Sequence, residues 1–155
     1  MSTHGFSTTT DEVLVGVDLT GQRMVITGAS TGLGEETARS LALHGAAITM
    51  AVRDIARGDA AADRIRATAP NADLEVRLLD LGTLASVRAF AQTFLAEHQS
   101  IDVLINNAGI MACPQATTSD ANSSWKRSED IENTPPNTRR RQTVGRTPII
   151  GAHTE

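Results

Sequence analysis

The sequence has no tyrosine and only one lysine, Lys126, among its 155 residues. A catalytic tyrosine/lysine pair therefore cannot be assembled from this chain alone. A single cysteine, Cys113, excludes an internal disulfide and any metal site built from several cysteines. The four histidines are scattered along the chain without the spacing of metal ligands, so we predict no metal site.

An excess of basic residues is also missing, since 14 Lys and Arg against 18 Asp and Glu give a formal net charge of −4. A surface for nucleic acid or for an anionic membrane needs the opposite balance, so we expect neither partner. No apolar run approaches the roughly 20 residues that span a membrane. The N-terminus also lacks the charged-then-apolar pattern of a secretory signal, and we therefore expect a cytoplasmic protein.

Composition divides the chain near residue 114. Residues 114–155 hold four of the five prolines and only 8 apolar residues, too few to offset the entropy lost on ordering. We predict a disordered tail over 114–155 and a single dinucleotide-binding domain over 21–113. The polar residues 1–20 are predicted to be an extension that docks on this domain through Val13, Leu14 and Val15.

Between these ends, short apolar runs alternate with segments whose apolar residues recur at helical spacing. Strands are predicted over 23–27, 46–52, 74–79 and 101–106. Helices are predicted to begin at Leu33, after an N-cap at Asp54, and at Leu84, the last running to about Ser100. From Leu33 onward, the first helix is expected to place Ala38, Leu41 and Ala42 on one face. This alternation predicts an α/β fold, a Rossmann-like doubly wound parallel sheet of about four strands with helices on both faces.

The segment 27–34, TGASTGLG, joins the first predicted strand to the first helix. Gly28 suits a tight exit from the strand, Gly32 the approach of a pyrophosphate to the backbone, and Gly34 close packing of the helix. Free N–H groups and the positive end of the helix dipole would face the anion. A glycine-rich turn without a ligand is the alternative, but a strand before it and a helix after it favour a dinucleotide site.

Arg53 follows the second predicted strand, 19 residues after Gly34. An acidic residue in this region typically binds the ribose 2′-OH of NAD, whereas an arginine accommodates the 2′-phosphate of NADP. Arg53 therefore favours NADP(H) over NAD(H) as the cofactor. The alternative is a solvated arginine at a strand end, and the neighbouring Asp54 is explained as a helix cap.

Three motifs in this order resemble those of the short-chain dehydrogenase/reductase family, in its retinol-dehydrogenase-like branch. They are T-G-x-x-x-G-x-G at 27–34, an Asp-Leu step at Asp80 and Leu81 that contacts adenine in the family, and N-N-A-G at 106–109. The match covers residues 19–114, about the cofactor-binding half of a family member. Together with Arg53, it predicts a dinucleotide site formed by Thr27, Gly28, Ser30, Thr31, Gly32, Leu33, Gly34, Arg53, Asp80, Leu81, Asn106, Asn107, Ala108 and Gly109.

The resemblance implies hydride transfer between NADP(H) and a small carbonyl or alcohol substrate in a complete homologue. The family's catalytic asparagine, serine, tyrosine and lysine have no matching positions here, so we assign no catalytic residue. The helices that form the family's oligomer interfaces also lie beyond the match. We therefore expect this interface to be missing and residues 101–105 of the fourth strand to be an exposed apolar edge.

The likeness ends abruptly near Asp120, which leads to the hypothesis that the tail is read out of frame; a genuine divergent linker is the alternative. Three hypotheses for the function of the chain follow. The first is an oxidoreductase by descent that lacks its acid/base pair. The second is a non-catalytic NADP(H)-binding module, and the third is a truncated product without a function of its own.

Overall fold

Four parallel strands form the centre of the computed structural model, which describes residues 5–110. The strands are β1 (Arg23–Thr27), β2 (Ala47–Val52), β3 (Leu74–Leu78) and β4 (Val103–Ile105), in the sheet order β3-β2-β1-β4. The helices are α1 (Thr10–Val13), α2 (Gly32–Leu43), α3 (Ile55–Thr68) and α4 (Leu84–Glu97). The predicted parallel, Rossmann-like α/β fold is confirmed.

Successive side chains along each strand point to opposite faces of the sheet, so the core is divided between the two faces. On one face, Ile26 and Met50 pack against alanines of α2 and α3. On the other face, Val25 and Ala51 pack against Phe94 of α4. Both faces of the central strands are therefore covered, as the near-continuous apolar pattern of β1 and β2 predicts.

The edge strand β4 is shorter than predicted. The sequence indicated residues 101–106, whereas the strand spans Val103–Ile105 and the chain turns where the Asn107 N–H donates to the Ile105 carbonyl over 3.0 Å. Val103 is 37% and Leu104 54% exposed, so the described part of the chain has the expected apolar edge beside β1. The end of α4 was also predicted too late, since the helix stops at Glu97 and His98 has an extended backbone.

Helix α2 begins at Gly32, one residue before the predicted start at Leu33. On the predicted face, Ala38 and Ala42 are buried and Leu41 packs against the same core. Leu33, in the first turn, is 81% exposed.

Val13 and Val15 do not dock the N-terminal extension on the domain, contrary to expectation, whereas Leu14 is half-buried and Leu19 packs against the core. Val13 and Val15 are exposed. Instead, the short helix α1 is tied to α2 by an ion pair between Asp11 and Arg39 at 2.8 Å. Within residues 5–110, none of the helices has the length and apolar character needed to cross a membrane. The predicted tail over 114–155 lies outside the described residues.

Candidate functional site

A cleft of about 620 Å³ opens at the carboxyl edge of the sheet, where β1, β2 and β3 end and the segment after β4 begins. In doubly wound folds this edge is where ligands bind. The cleft brings together twelve of the residues predicted to bind the cofactor, although they are spread over more than 80 positions of sequence. These are Thr27, Gly28, Ser30, Thr31, Leu33, Gly34, Arg53, Asp80, Leu81, Asn107, Ala108 and Gly109.

Two predicted residues lie elsewhere. Gly32 borders a separate surface pocket of about 300 Å³ between α2 and α3, although its neighbours Thr31 and Leu33 line the cleft. Asn106 is exposed and is not among the residues that line the cleft. The structure therefore separates the two asparagines of the N-N-A-G motif and brings only Asn107 to the site.

The glycine-rich turn needs its glycines for two different reasons. Gly28 and Gly32 have φ angles of +68° and +60°, a region that favours glycine. At Gly34 the constraint is space, because a Cβ atom would lie 2.5 Å from the Gly28 carbonyl oxygen. Gly34 thus lets the start of α2 approach the end of β1, close to the role predicted for it.

The amino end of α2 is open toward the cleft. Its N-cap residue, Thr31, makes no side-chain capping hydrogen bond. Thr9, Asp54 and Thr83 each accept a backbone N–H at the start of the other described helices, α1, α3 and α4. The N-cap side chain therefore does not cover the first-turn N–H groups and the positive dipole end of α2, an arrangement suited to an anion. Gly28 in the preceding turn and Gly32 at the first helical position have no side chain that would block its approach.

Asn107 connects the glycine-rich turn to the segment after β4. Its Nδ2 donates to the carbonyls of Thr27 at 3.0 Å and Gly28 at 3.3 Å. In the same place, the N–H of Ala108 donates to Thr27 Oγ1 over 3.0 Å. The sequence predicted Asn107 as a cofactor residue, and the structure shows that its amide nitrogen holds two walls of the cleft together.

Two arginines line the cleft beyond the end of β2. Arg53 was predicted, whereas Arg57 was not. Both are exposed, and the backbone N–H of Arg57 is held by the Asp54 carboxylate at 3.2 Å. The missed signal was the N-cap at Asp54, because it places Arg57 at the third position of α3, in the first turn beside the end of β2.

The wall beyond β3 is a tight turn at Asp80–Gly82. The Gly82 N–H donates to Asp80 Oδ1 over 2.8 Å, and the Asp80 N–H donates to the Ser86 hydroxyl over 2.9 Å. Asp80 and Leu81, predicted to bind the cofactor, both line the cleft. Sequence reasoning missed the cleft residues that carry no recognisable motif: Ala51, Leu79, Gly82 and Ile110.

A polar cluster lies between β3 and α4. Glu75, Glu97 and His98 place possible ligand atoms within 4.8 Å of one another. Arg77 lies among them and pairs with both carboxylates, and His98 Nε2 is 3.1 Å from Glu75 Oε2. The cluster thus already contains its counter-cation, which fits a structural role in holding α4 on the sheet.

Opposing effects act on the carboxyl group of Glu75. Burial raises its pKa, but hydrogen bonds from Arg77, His98 and Thr49 and the charge of Arg77 outweigh burial. The net result is a pKa below the ordinary value of a glutamate, so the group is held as a carboxylate.

Comparison with known proteins agrees with this geometry. The sequence model of the family described as short chain dehydrogenase matches residues 22–136. Human retinol dehydrogenase 12 is 51% identical over 104 residues, which are 67% of this chain and 33% of that protein. Human WW domain-containing oxidoreductase is 45% identical over 114 residues, which are 74% of this chain and 28% of that protein. The chain therefore spans about a third of the length of the curated relatives it matches.

Solved structures show the same relationship in three dimensions. An uncharacterized protein from Mycobacterium paratuberculosis is 50% identical with a TM-score of 0.58, over 66% of this chain and 35% of that one. A metagenomic short-chain oxidoreductase, solved in complex with NADP, is 39% identical with a TM-score of 0.55, over 59% of this chain and 41% of that one. The chain therefore belongs to the short-chain dehydrogenase family and is retinol-dehydrogenase-like over its N-terminal part.

Proposed function

We propose that this chain binds NADP(H) in the cleft at the carboxyl edge of its sheet. The observation that carries the proposal is the open amino end of α2 behind a turn of glycines, in a sheet edge that the family uses for a nicotinamide dinucleotide. The pyrophosphate would lie against the first turn of α2. The adenosine side would then extend past the end of β2 toward Asp80 and Leu81.

The preference for NADP(H) over NAD(H) is supported by charge at the end of β2. Arg53 and Arg57 both line the cleft there, while the nearby carboxylate of Asp54 accepts a hydrogen bond from the α3 backbone. Two guanidinium groups suit a 2′-phosphate, whereas a ribose 2′-OH would call for an acceptor such as a carboxylate. The related metagenomic oxidoreductase was solved with NADP, which agrees with this assignment.

The family relationship makes the chain an oxidoreductase by descent, in which the cofactor supplies or accepts hydride against a carbonyl or alcohol substrate. General acid–base work on that substrate needs a group of suitable pKa within hydrogen-bond reach. The chain has no tyrosine, and its single lysine is Lys126. We therefore expect the chain by itself to bind cofactor without turnover, the behaviour of a non-catalytic module.

Calorimetric titration of the 155-residue chain with NADPH and with NADH tests the cofactor preference. Arg53→Ala and Arg57→Ala are each expected to weaken NADPH binding about tenfold, the size of a lost charge-assisted hydrogen bond. NADH binding should be unchanged. Arg88→Ala is the matched control, because Arg88 is an exposed arginine of α4 outside the cleft lining.

Equal affinity of the unmodified chain for NADPH and NADH would contradict the preference, and absence of binding would contradict the function itself. Absorbance measurements of carbonyl-dependent NADPH oxidation distinguish a non-catalytic module from an enzyme. We expect none, and steady turnover by the purified chain would show that it carries its own acid/base group.

A further inference from the structure

The turn that forms the adenosine-side wall of the cleft bonds to a hydroxyl group of helix α4. Within the turn, the Gly82 N–H bonds to Asp80 Oδ1 and the Thr83 N–H approaches the Asp80 carbonyl at 3.3 Å. Both bonds are local and fix only the shape of the turn. The bond from the Asp80 N–H to Ser86 Oγ, at 2.9 Å, ties the turn to α4.

The position of Ser86 in α4 shows that this bond departs from ordinary capping. Ser86 is the third residue of the helix, and its own N–H donates to the N-cap hydroxyl of Thr83 over 3.1 Å. In a capping box the side chain at this position bonds back to the N-cap N–H. Helix α1 does so, with Glu12 accepting the Thr9 N–H at 2.7 Å. In α4 the hydroxyl of Ser86 instead reaches three residues before the cap, into the cleft wall.

Helix α4 is a firm support for such a bond. Phe94 is only 1% exposed and packs against Val25 and Ala51 of the sheet. The Phe90 ring stacks on it at 5.8 Å, and Arg77 lies over its face at 5.6 Å. A side chain near the start of this helix therefore has a fixed position relative to the strand ends that line the cleft.

We propose that Ser86 is a positioning residue of the dinucleotide site, whose hydroxyl sets the place of Asp80 and Leu81 relative to the adenosine part of the ligand. Ser86 is not among the residues that line the cleft, so it acts through the Asp80 backbone. This inference rests on the proposed function, and it adds a residue that none of the recognised motifs contains.

The test uses the 155-residue chain with two probes, adenosine 2′,5′-bisphosphate and inorganic pyrophosphate, followed by amide NMR. Ser86→Ala is expected to weaken binding of the adenosine bisphosphate about fivefold, the size of one lost hydrogen bond. Pyrophosphate, which needs only the start of α2, should bind with unchanged affinity. Ser86→Thr keeps a hydroxyl and should restore adenosine bisphosphate binding. Thr93→Ala is the control, since it removes a hydroxyl that bonds only within α4.

The outcomes separate this inference from the proposed function. If the unmodified chain binds the adenosine bisphosphate and Ser86→Ala binds it equally well, the role of Ser86 is overturned while the function stands. Equal weakening of both probes would mean a general loss of structure and would also overturn a positioning role. If the unmodified chain binds neither probe, both proposals fail. Hydrogen exchange adds a ligand-free readout, because Ser86→Ala should expose the Asp80 amide and leave the Phe94 amide protected.

Discussion

Helices α2, α3 and α4 all begin at the carboxyl edge of the sheet, but they begin differently. Asp54 closes the start of α3 and Thr83 the start of α4, each by accepting a backbone N–H. Thr31 stands in the same position before α2 and makes no such bond, although its residue type is well suited to capping. A side chain therefore caps a backbone N–H at the start of α3 and of α4, whereas the N-cap side chain of α2 leaves these groups uncapped.

The surroundings of the three helix starts explain the difference. The turns before α3 and α4 carry polar side chains that satisfy backbone groups. At the start of α2, Gly28 in the preceding turn and Gly32 at the first position of the helix have positive φ, and neither covers the backbone with a side chain. Asn107 then braces that turn from the side of β4, through the carbonyls of Thr27 and Gly28. These hydrogen bonds fix the turn in front of the helix start, where we propose that the anionic part of the dinucleotide binds.

The largest expected effect is that of filling the space at Gly34. In Gly34→Ala the new Cβ would lie 2.5 Å from the Gly28 carbonyl oxygen, so the start of α2 must move away from β1. We expect a loss of about 2 kcal/mol in the free energy of unfolding, typical of overpacking, and loss of NADPH binding. Urea unfolding and calorimetry measure the two quantities.

Gly109→Ala is the matched control for Gly34→Ala. A Cβ at Gly109 would meet only the Asn107 carbonyl oxygen, at 4.0 Å, so unfolding should change little. Equal destabilisation by both substitutions would show that the close approach at Gly34 is not what holds the start of α2 in place.

A smaller effect is expected from closing α2 with a side chain of its own. Thr31→Asp would place a carboxylate at the N-cap, raising the free energy of unfolding by about 0.5 kcal/mol. The same carboxylate would compete with a pyrophosphate, so NADPH affinity should fall about tenfold or more. Thr31→Ala should leave stability nearly unchanged, because the Thr31 side chain makes no capping bond. Tighter NADPH binding by Thr31→Asp would refute an anion site at this helix end.

The smallest expected effect is on the stability of the fold in acid. It concerns the carboxyl end of α4, where the cluster of Glu75, Arg77, Glu97 and His98 connects the helix to β3. The pKa of Glu75 is lowered in the folded chain, so its stabilising contribution is complete above the ordinary glutamate value of about 4.3. That contribution is lost as the pH falls through the lowered pKa. Thermal unfolding between pH 3 and pH 7 should therefore show a smaller acid-induced fall in Tm for Glu75→Gln than for the unmodified chain. An identical fall in both would mean that the bonds to Arg77 and His98 do not act on this carboxyl group.

The sequence was sufficient to predict the fold because its apolar residues follow two clear patterns, short continuous runs in the strands and helical spacing in the helices. Apolar runs such as 23–27 and 47–52 are buried strands, and Asp54 caps α3 as predicted. Helix α1 was missed because its four residues give no periodic pattern, and a polar contact between Asp11 and Arg39 fixes it. Such a contact depends on tertiary placement, which spacing in the chain does not encode.

The candidate site was predictable where a motif needs a particular backbone, as at Gly28 and Gly34. It was less predictable where a side chain acts at a distance. Asn107 was predicted to bind the cofactor, and it lines the cleft while its amide nitrogen also ties two loops together. Ser86 supports Asp80 from outside the cleft lining. Both roles depend on which backbone group lies within about 3 Å, and that follows only from the assembled sheet.

The most direct test of the account is an amide NMR titration of the 155-residue chain with NADPH. Binding of the dinucleotide at the start of α2 should give saturable shifts centred on Gly28, on the first turn of α2 and on 80–82, with little change at His98. No saturable shift at millimolar NADPH, or shifts confined to residues outside the cleft, would contradict the claim that the open start of α2 is a dinucleotide site.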